Sequence, residues 1–407
     1  MARPLADPWW VPCTWVVDWR SWSEFVLAAS VAGCSQPNSL AATASGKATR
    51  SAASPLAQRH GSPYCAVSLP TRWSAALKAR NGTVPPATRI GFAVAANGSE
   101  YFAESYSPAW SGVVEIFPAT GRVVEISQFG DPRVDQVLPP ASFDGRWFVW
   151  SESTTLQDPV PVTVMAWDSR TNTVVTVFNT LASALLNGIA VAYAATVAKG
   201  ELVWVQGAGK QSDVHLYNLE AQTDRIIFRG RAGSPVFWGT KILFPVGSES
   251  SDHLVADSSR TGQPSLLPKG WARVRGVSAV ALTATPHEVI WTQSHATSTW
   301  VTTSTWVWRP TYKQAEEVGI NYSWAPQPLV LANSDFFWST GQSSMVGDPR
   351  SGAMAVVPAN LGVVVATNGN VILAAHALPG ATEPQMSPAI FSVVDVAKFP
   401  PLPQCHR

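Results

Sequence analysis

The chain has 407 residues, of which 46% are hydrophobic and 14% are charged, and its formal net charge is +1. A nearly neutral chain with this apolar content is not disordered overall. It also has no large basic field, so we expect no nucleic-acid partner. Four cysteines in a chain of this length exclude a small scaffold that depends on disulfides.

A short apolar run lies close to the N-terminus, at residues 25–33 (FVLAASVAG). A bilayer span needs about 20 residues, so this run fits the apolar core of a secretory signal better. It leads into Val31, Ala32, Gly33 and Cys34, which resemble the lipobox of bacterial lipoproteins. The resemblance implies lipidation of Cys34 and attachment to the outer face of a bacterial membrane.

The flanks of this run leave alternatives open. Glu24 abuts the run, and a translation start nearer Val17 would remove the tryptophan-rich residues 9–15. A buried strand with an incidental cysteine is the second interpretation of the run, and a secreted or periplasmic protein without an anchor is the second prediction for its location. Residues 35–63 are rich in Ser, Ala and Thr without apolar periodicity, which predicts a disordered, flexible tether.

We therefore divide the chain into a leader (1–34), a linker (35–63) and a globular region (64–407). The globular region opens with a helical spacing of apolar residues at Leu69, Trp73, Ala76 and Leu77. This spacing predicts a short helix that packs against the end of the domain, with Thr71 as its N-cap.

A repeated unit follows: a turn, a strand ending in aromatic residues, a second strand, a tight turn and a third strand. The turns that open its seven copies contain Asn97, Asp144, Lys199, Thr240, His287, Ser334 and Asn368. One such sheet cannot bury both of its faces, whereas copies stacked radially can. The repeats predict an all-β, seven-bladed β-propeller, with six or eight blades as the alternatives.

One copy carries a family resemblance. The segment 142–150 (SFDGRWFVW), together with Ala166, Trp167 and Asp168, resembles the WD40-like repeat of TolB-type propellers. In that repeat a Ser-Pro-Asp-Gly-Lys turn opens the strand, and Phe143 stands here in place of the proline. The resemblance implies the fold, and it transfers no catalytic residue, because a fold does not specify a function.

Cys65 and Cys405 bracket the predicted propeller. Because the two ends of a closed ring lie near each other, we expect a disulfide between them that staples the closure. Two unpaired cysteines near the chain ends are the alternative.

No metal or nucleophile motif stands out in the sequence, so we expect no cofactor and no metal, and the protein leans towards a non-enzyme. The seven histidines are scattered, and His287 with Glu288 is expected to be a solvated pair in a turn. Four aspartates recur at the end of the same repeat strand, where their side chains should bond the turn backbone: Asp168, Asp257, Asp348 and Asp395.

Tryptophans are the remaining functional signal. Of the 19 tryptophans, nine lie on predicted strands, where packing explains them, but Trp110, Trp271, Trp300 and Trp324 lie in connections and are candidates for a binding face. The leading hypothesis is a monomeric, non-enzymatic propeller, tied to the membrane only by its lipid, that binds a protein or small ligand at one face. The alternatives are a glycan-acting hydrolase or lyase with its site in the central channel, and a structural envelope scaffold.

Overall fold

A computed structural model describes most of the globular region. The described residues are 64–79, 88–106, 110–130, 136–153, 162–179, 192–208, 211–230, 232–248, 251–258, 264–266, 279–285, 288–296, 301–309, 315–322, 329–332, 335–339, 344–377 and 389–405. The predicted leader, the linker and Cys34 lie outside them. No helix within these residues is long and apolar enough to cross a membrane.

The elements follow one another in groups along the chain. The first two are β1 (Cys65–Ala66) and α1 (Thr71–Lys78). The first blade contains β2 (Thr88–Val94), β3 (Tyr101–Tyr106), β4 (Ser111–Phe117) and β5 (Arg122–Gln128). The second contains β6 (Gln136–Phe143), β7 (Trp147–Ser153), β8 (Val162–Asp168) and β9 (Thr173–Asn179). The third contains β10 (Ala192–Ala198), β11 (Glu201–Ala208), β12 (Gln211–Asn218) and β13 (Thr223–Gly230).

The second half of the chain continues in the same way. The fourth blade contains β14 (Val236–Trp238), β15 (Lys241–Ser248), β16 (Ser251–Ser258) and β17 (Pro264–Leu266). The fifth contains β18 (Ala279–Thr285), β19 (Glu288–Ala296), β20 (Val301–Trp308) and β21 (Glu316–Tyr322). The sixth contains β22 (Leu329–Ala332), β23 (Asp335–Ser339), β24 (Ser344–Asp348) and β25 (Ala353–Val357). The last sheet contains β26 (Val363–Asn368), β27 (Val371–Ala377) and β28 (Ala389–Asp395).

Within each group the strands pair antiparallel in chain order, as a meander. Tight turns make this possible, and several of them use the left-handed region that glycine and asparagine tolerate best. Gly145 has φ 99° in the first turn of the second blade, and Asn172 has φ 53° in its last turn. The Asx-Gly signals in the sequence therefore correspond to real hairpin turns.

The sheets form a closed ring, which confirms the predicted all-β propeller. The first strand of each sheet lies against the first strand of the next one, and β26 lies against β2. The expectation of seven blades needs correction to six complete ones, because within the described residues six sheets have four consecutive strands and the last sheet has three. After β28 the chain forms a short 3-10 helix (Val396–Lys398), where the side chain of Asp395 accepts a hydrogen bond from the Ala397 nitrogen, and this cap ends the strand.

Aromatic side chains fill the spaces between neighbouring blades. Between the first and second blades, Phe102 stacks on Phe148 with ring centroids 4.1 Å apart. At the junction of the first blade and the last sheet, which we call the closure seam, Tyr101 contacts Phe391 at 5.3 Å. Packing thus accounts for the strand tryptophans, of which seven are buried: Trp147, Trp150, Trp167, Trp204, Trp291, Trp308 and Trp338.

A bulge recurs between the third and fourth strands of four blades. The register shifts by one residue on the fourth strand, and the extra residues are Ile126, Val177, Ile227 and Val318. Ile227 and Val318 are buried, and Ile126 and Val177 are partly buried against the inter-blade cores. The bulge increases the local twist and turns one more apolar side chain toward the neighbouring blade.

Helix α1 covers the outer wall of the sixth blade and the last sheet. Trp73 and Leu77 are buried in the core of this junction, and the indole nitrogen of Trp73 donates to the Pro400 carbonyl at 2.9 Å. The prediction that Thr71 is the N-cap was wrong: Pro70 is the cap residue, without a side-chain bond, and Thr71 begins the helix. The helix contacts β28 and the short 3-10 helix Ala359–Leu361, which links β25 to β26.

Cys65 and Cys405 form a disulfide, with Cα atoms 5.8 Å apart. Strand β1 pairs parallel with β25, so Cys65 lies on the outer edge of the sixth blade. The bond therefore joins the two chain ends on that edge, and the ring itself closes through β26 and β2. Its place differs from the ring-closing position that the sequence suggested.

Candidate functional site

Antiparallel meanders give the ring two different ends. The turns between first and second strands, and between third and fourth strands, lie at one end, which we call the short-turn end. The connections between second and third strands, and the links between successive sheets, belong to the other, which we call the long-connection end. The two ends and the channel between them are where connections and turns offer side chains to a ligand.

The candidate binding tryptophans all belong to connections of the long-connection end. Trp110 lies just before β4, is partly buried and packs against the closure seam. Trp300 falls between β19 and β20, Trp271 between β17 and β18, and Trp324 between β21 and β22. These last three lie outside the described residues, so only their place in the chain order is known.

Buried charges concentrate at the short-turn end. In the second blade, Arg146 holds Asp168 with two hydrogen bonds, from Nε at 3.1 Å and from Nη2 at 2.8 Å. Its Nη1 atom reaches Glu220 of the third blade at 3.2 Å. The hydrogen bonds from Arg146 lower the pKa of the buried Asp168 carboxyl. One guanidinium therefore links two blades.

Asp144 makes a second link between the same blades. Its Oδ1 atom accepts hydrogen bonds from the backbone nitrogens of Arg146 and Trp147, which shapes the Asp-Gly turn. Its Oδ2 atom accepts from the Gly200 nitrogen of the third blade at 2.7 Å. The motif that resembles the TolB-type repeat thus has a structural role, since it shapes its own turn and links the second blade to the third.

A cluster of five charged side chains joins the fifth and sixth blades at the same end. Glu288 pairs with Arg309, and Arg350 donates to Asp335 at 3.1 Å and to Asp348 at 2.9 Å. The three carboxylates are buried. The expectation that Glu288 belongs to a solvated turn pair was wrong, because its side chain is enclosed and ion-paired.

This five-charge cluster has one carboxyl more than it has guanidinium groups. Burial, followed by the nearby charge of Asp348, raises the pKa of Asp335 to about 7. Burial also raises the pKa of Glu288. Among the described atoms, one oxygen of Glu288 (Oε2) and one of Asp348 (Oδ2) are buried without a hydrogen-bond partner. The cluster therefore retains a proton near neutral pH, which offsets its excess negative charge.

A smaller acidic pair lies at this end of the first blade. Burial raises the pKa of Glu115 to about 7, and the charge of Glu100 adds to the effect while Arg122 opposes it. Burial raises the pKa of Glu100 as well. The guanidinium of Arg122 lies 3.7 Å above the ring of Phe117. Such a pair can hold and release a proton, but it faces the neighbouring blade.

The buried histidines have structural partners. His215 stacks on Trp204 and lies 2.8 Å from a carboxylate oxygen of Asp224. The Nε2 atom of His376 lies 2.8 Å from the hydroxyl of Ser392, whose hydrogen points to the Ala79 carbonyl. Ser392 is fully buried and so is not placed as a nucleophile for a substrate. No group of three or more His, Cys, Asp or Glu within the described residues is arranged to hold a metal ion.

The recurring aspartates behave as predicted where their side chains are described. Asp168 accepts from the Arg170 nitrogen and Asp348 from the Arg350 nitrogen, at 2.9 and 2.8 Å. The side chain of Asp257 lies outside the described part of the chain. Sequence reasoning missed the ion pairs that these aspartates also make, although an arginine two residues further on, as at Arg350, was a visible signal.

Comparisons with known proteins support the fold. No family model matches the chain, and no curated protein matches it. An oligogalacturonate lyase from Vibrio parahaemolyticus is similar in structure, with a TM-score of 0.51 and 10% identity over 78% of this chain and 93% of that one. An oligogalacturonate lyase solved with manganese has a TM-score of 0.50 at 10% identity, covering 78% and 90%.

A TolB structure from Agrobacterium tumefaciens has a TM-score of 0.40 at 9% identity and covers 60% of this chain and 86% of that one. At 10% identity the likeness to the two lyase structures shows the fold alone. The β-propeller that the TolB-type repeat implied is confirmed by the closed ring of sheets.

Proposed function

We propose that this protein is a ligand-binding β-propeller, with its binding face at the long-connection end. One observation carries the proposal: the chain order assigns Trp110, Trp271, Trp300 and Trp324 to connections of the same end. Connections on a rigid scaffold are the usual place for binding residues. Tryptophan offers a large apolar face with one hydrogen-bond donor, which suits a sugar ring or a segment of a partner protein.

The short-turn end is less suited to bind a ligand, which favours the long-connection end as the binding face. Its buried charges are engaged with one another, as in the pair of Arg146 with Asp168 and in the five-charge cluster. Breaking such buried pairs to admit a ligand would be costly. The long-connection end carries the four candidate tryptophans in its connections.

The location remains part of the proposal. An exported monomer, held at the outer face of a bacterial membrane by a lipid on Cys34, would present this binding face to ligands outside the cytoplasm. A Cys34→Ser variant should then leave the membrane fraction and lose the lipid mass. If the unchanged protein carries no lipid, the anchor is refuted and a secreted form takes its place.

Binding can be tested with the full chain and a panel of neutral and acidic oligosaccharides that includes oligogalacturonides. We expect alanine variants of Trp300 and Trp324 to weaken binding about tenfold or more. Glu220→Ala, an exposed change at the short-turn end, is the matched control and should leave affinity unchanged. Affinity that survives the paired Trp300 and Trp324 variant, or a panel with no binder, contradicts saccharide recognition at this face.

A glycan lyase is the second candidate. The observation that favours it is the coverage of an oligogalacturonate lyase over 93% of that chain. Incubation with oligogalacturonides, with and without manganese, would reveal a lyase by the ultraviolet absorbance of an unsaturated product. Binding without product formation supports the function of a binding protein. Product formation shows instead that the protein is an enzyme. An envelope scaffold would show neither.

A further inference from the structure

Two Asn-Gly turns meet at the closure seam. Asn97 and Gly98 join β2 to β3 in the first blade, and Asn368 and Gly369 join β26 to β27 in the last sheet. Gly369 lies against Ala96, which places the two turns side by side. Both glycines have positive φ, 72° at Gly98 and 59° at Gly369. The same dipeptide therefore occurs twice in one neighbourhood, with different contacts.

The side chain of Asn97 is exposed and its carbonyl oxygen is activated. The Oδ1 atom accepts hydrogen bonds from the Ser99 nitrogen at 3.0 Å and from the Ser99 hydroxyl at 2.8 Å. Two donors at this oxygen stabilise negative charge that develops there, as they would in an oxyanion hole. Gly98 has no side chain to shield its backbone nitrogen, although that nitrogen donates to the Ala95 carbonyl and must first leave this bond.

Asn368 is held differently. Its amide nitrogen donates to the Phe143 carbonyl of the second blade at 2.9 Å, and the residue is half-buried at the end of β26. This bond fixes the amide and occupies the nitrogen that would have to leave. The contrast between the two asparagines comes from tertiary structure, because both are followed by glycine and then by a small polar residue.

We propose that Asn97 is a self-modification site that deamidates through a succinimide formed with the backbone nitrogen of Gly98. The Gly98 nitrogen loses its proton and bonds to Cγ of Asn97, the Cγ–Nδ2 bond breaks, and ammonia leaves. Water then opens the ring at either carbonyl and yields aspartate or isoaspartate. Water is the only co-reactant, and no electron is transferred.

The product changes the closure seam. The Ser99 hydroxyl lies 3.4 Å from a carboxylate oxygen of Glu100, so the new carboxylate at position 97 stands next to an existing one. Isoaspartate also adds a methylene to the backbone beside Gly98, where there is little space: a Cβ added to this glycine would lie 2.9 Å from a methyl group of Val393. The first change opposes the fold of this turn, and the second opposes its contact with the last sheet.

The test is peptide mapping by mass spectrometry of the full chain, incubated at mildly alkaline pH and sampled over time. Two further Asn-Gly pairs, at Asn81 and Asn187, are resolved in separate peptides. In the folded protein we expect Asn97 to convert about two- to tenfold faster than Asn368, the ratio set by one hydrogen bond. The same mapping in urea provides the control, because the two rates should converge once the fold is lost.

A second variant tests the role of the hydroxyl. Ser99→Ala keeps the backbone donor and removes the hydroxyl donor, and should slow conversion of Asn97 about two- to tenfold while leaving Asn368 unchanged. Asn97→Gln, which forms the larger ring poorly, should abolish the mass change in that peptide. Equal rates at Asn97 and Asn368 in the folded protein, or no effect of Ser99→Ala, would overturn the proposal.

Discussion

Most of the charged residues that this propeller buries lie near the start of a second strand or the end of a third strand, and Glu104, in the middle of β3, is an exception. In the second blade the base, Arg146, precedes the second strand and the acid, Asp168, ends the third. In the fifth blade the acid, Glu288, begins the second strand and the base, Arg309, follows the third. Either order places opposite charges side by side. The acid and the base exchange positions between blades. Alignment of the repeats therefore identified the recurring aspartates but not the arginines that pair with them.

Asp335 should make stability depend on pH. Its pKa is about 7 in the folded protein, against 3.8 for an ordinary aspartate, so between about pH 4 and pH 7 the folded state holds a proton that the unfolded state has lost. Stability therefore falls as pH rises through this range, and stays at its lower value above it. We expect thermal unfolding at lower temperature at about pH 8 than at about pH 5.

An Asp335→Asn variant, which mimics the protonated carboxyl, should show a flatter profile of melting temperature against pH. Glu115 titrates in the same range and in the same direction, so Glu115→Gln should remove a further part of the slope. A profile that is as steep in the combined variant as in the unchanged protein would show that these two carboxyls do not hold the protons.

At the level of elements, second and third strands were the predictable ones. They carry aromatic and β-branched residues and follow Asx-Gly turns, as β7 does after Asp144. The innermost strands gave a weaker signal. Strand β6 contains Pro139 and Pro140 at a register shift, and β10 is mostly alanine, so neither shows the alternation of a strand. Their position in the ring, not their local propensity, makes them strands.

Helix α1 was predicted from its apolar spacing, and Trp73 is the residue that fastens it to the ring. The side chain is 1% exposed and contacts the rings of Phe337 and Phe399. Trp73→Ala should lower the free energy of unfolding by about 3–5 kcal/mol, because it leaves a cavity between the sixth blade and the last sheet. Chemical denaturation measures this.

Two matched changes separate the contributions at this position. Trp73→Phe keeps a ring but loses the bond to Pro400, and should cost about 1 kcal/mol for the bond in addition to a smaller packing loss. Arg72→Ala, exposed on the same helix, should change stability little. If Trp73→Ala were as mild as Arg72→Ala, the helix would not contribute to the core.

For the whole molecule, the sequence repeats predicted a propeller. The number of complete blades was decided by the structure of the segment that follows β28. Within the described residues the last sheet has three strands, because after β28 Asp395 caps a 3-10 helix, a local signal that resembles the turn aspartates of the other blades. The proposed binding face was predicted from the sequence only as a set of tryptophans in connections. The connections do not follow the repeat in length or sequence. The sequence therefore predicts at which end of the ring they lie, but not their conformation.

Reduction of the disulfide should loosen the outer wall and leave the ring intact. The bond joins β1 to the C-terminal tail, whereas the closure seam depends on apolar contacts such as that of Tyr101 with Phe391. We expect a loss of about 2–5 kcal/mol, with faster hydrogen exchange confined to residues 64–79 and 396–405.

A Cys65→Ala and Cys405→Ala double variant should reproduce the effect of the reductant and retain the circular dichroism spectrum of a β protein. Global unfolding on reduction, with exchange accelerated in every blade, would contradict this division between wall and ring.

The meeting of Cys65 and Cys405 has a consequence for the order of the chain. Their Cα atoms are 5.8 Å apart, so a short peptide could bridge the two positions in place of the disulfide. New termini could then be opened at an exposed hairpin such as that of Gly121, where a Cβ added to the glycine would meet no atom within 4 Å. Such a circularly permuted chain would build the same ring from a different starting blade. The fold therefore does not require the chain to begin at a particular blade, and the order of the blades along the chain can be circularly permuted.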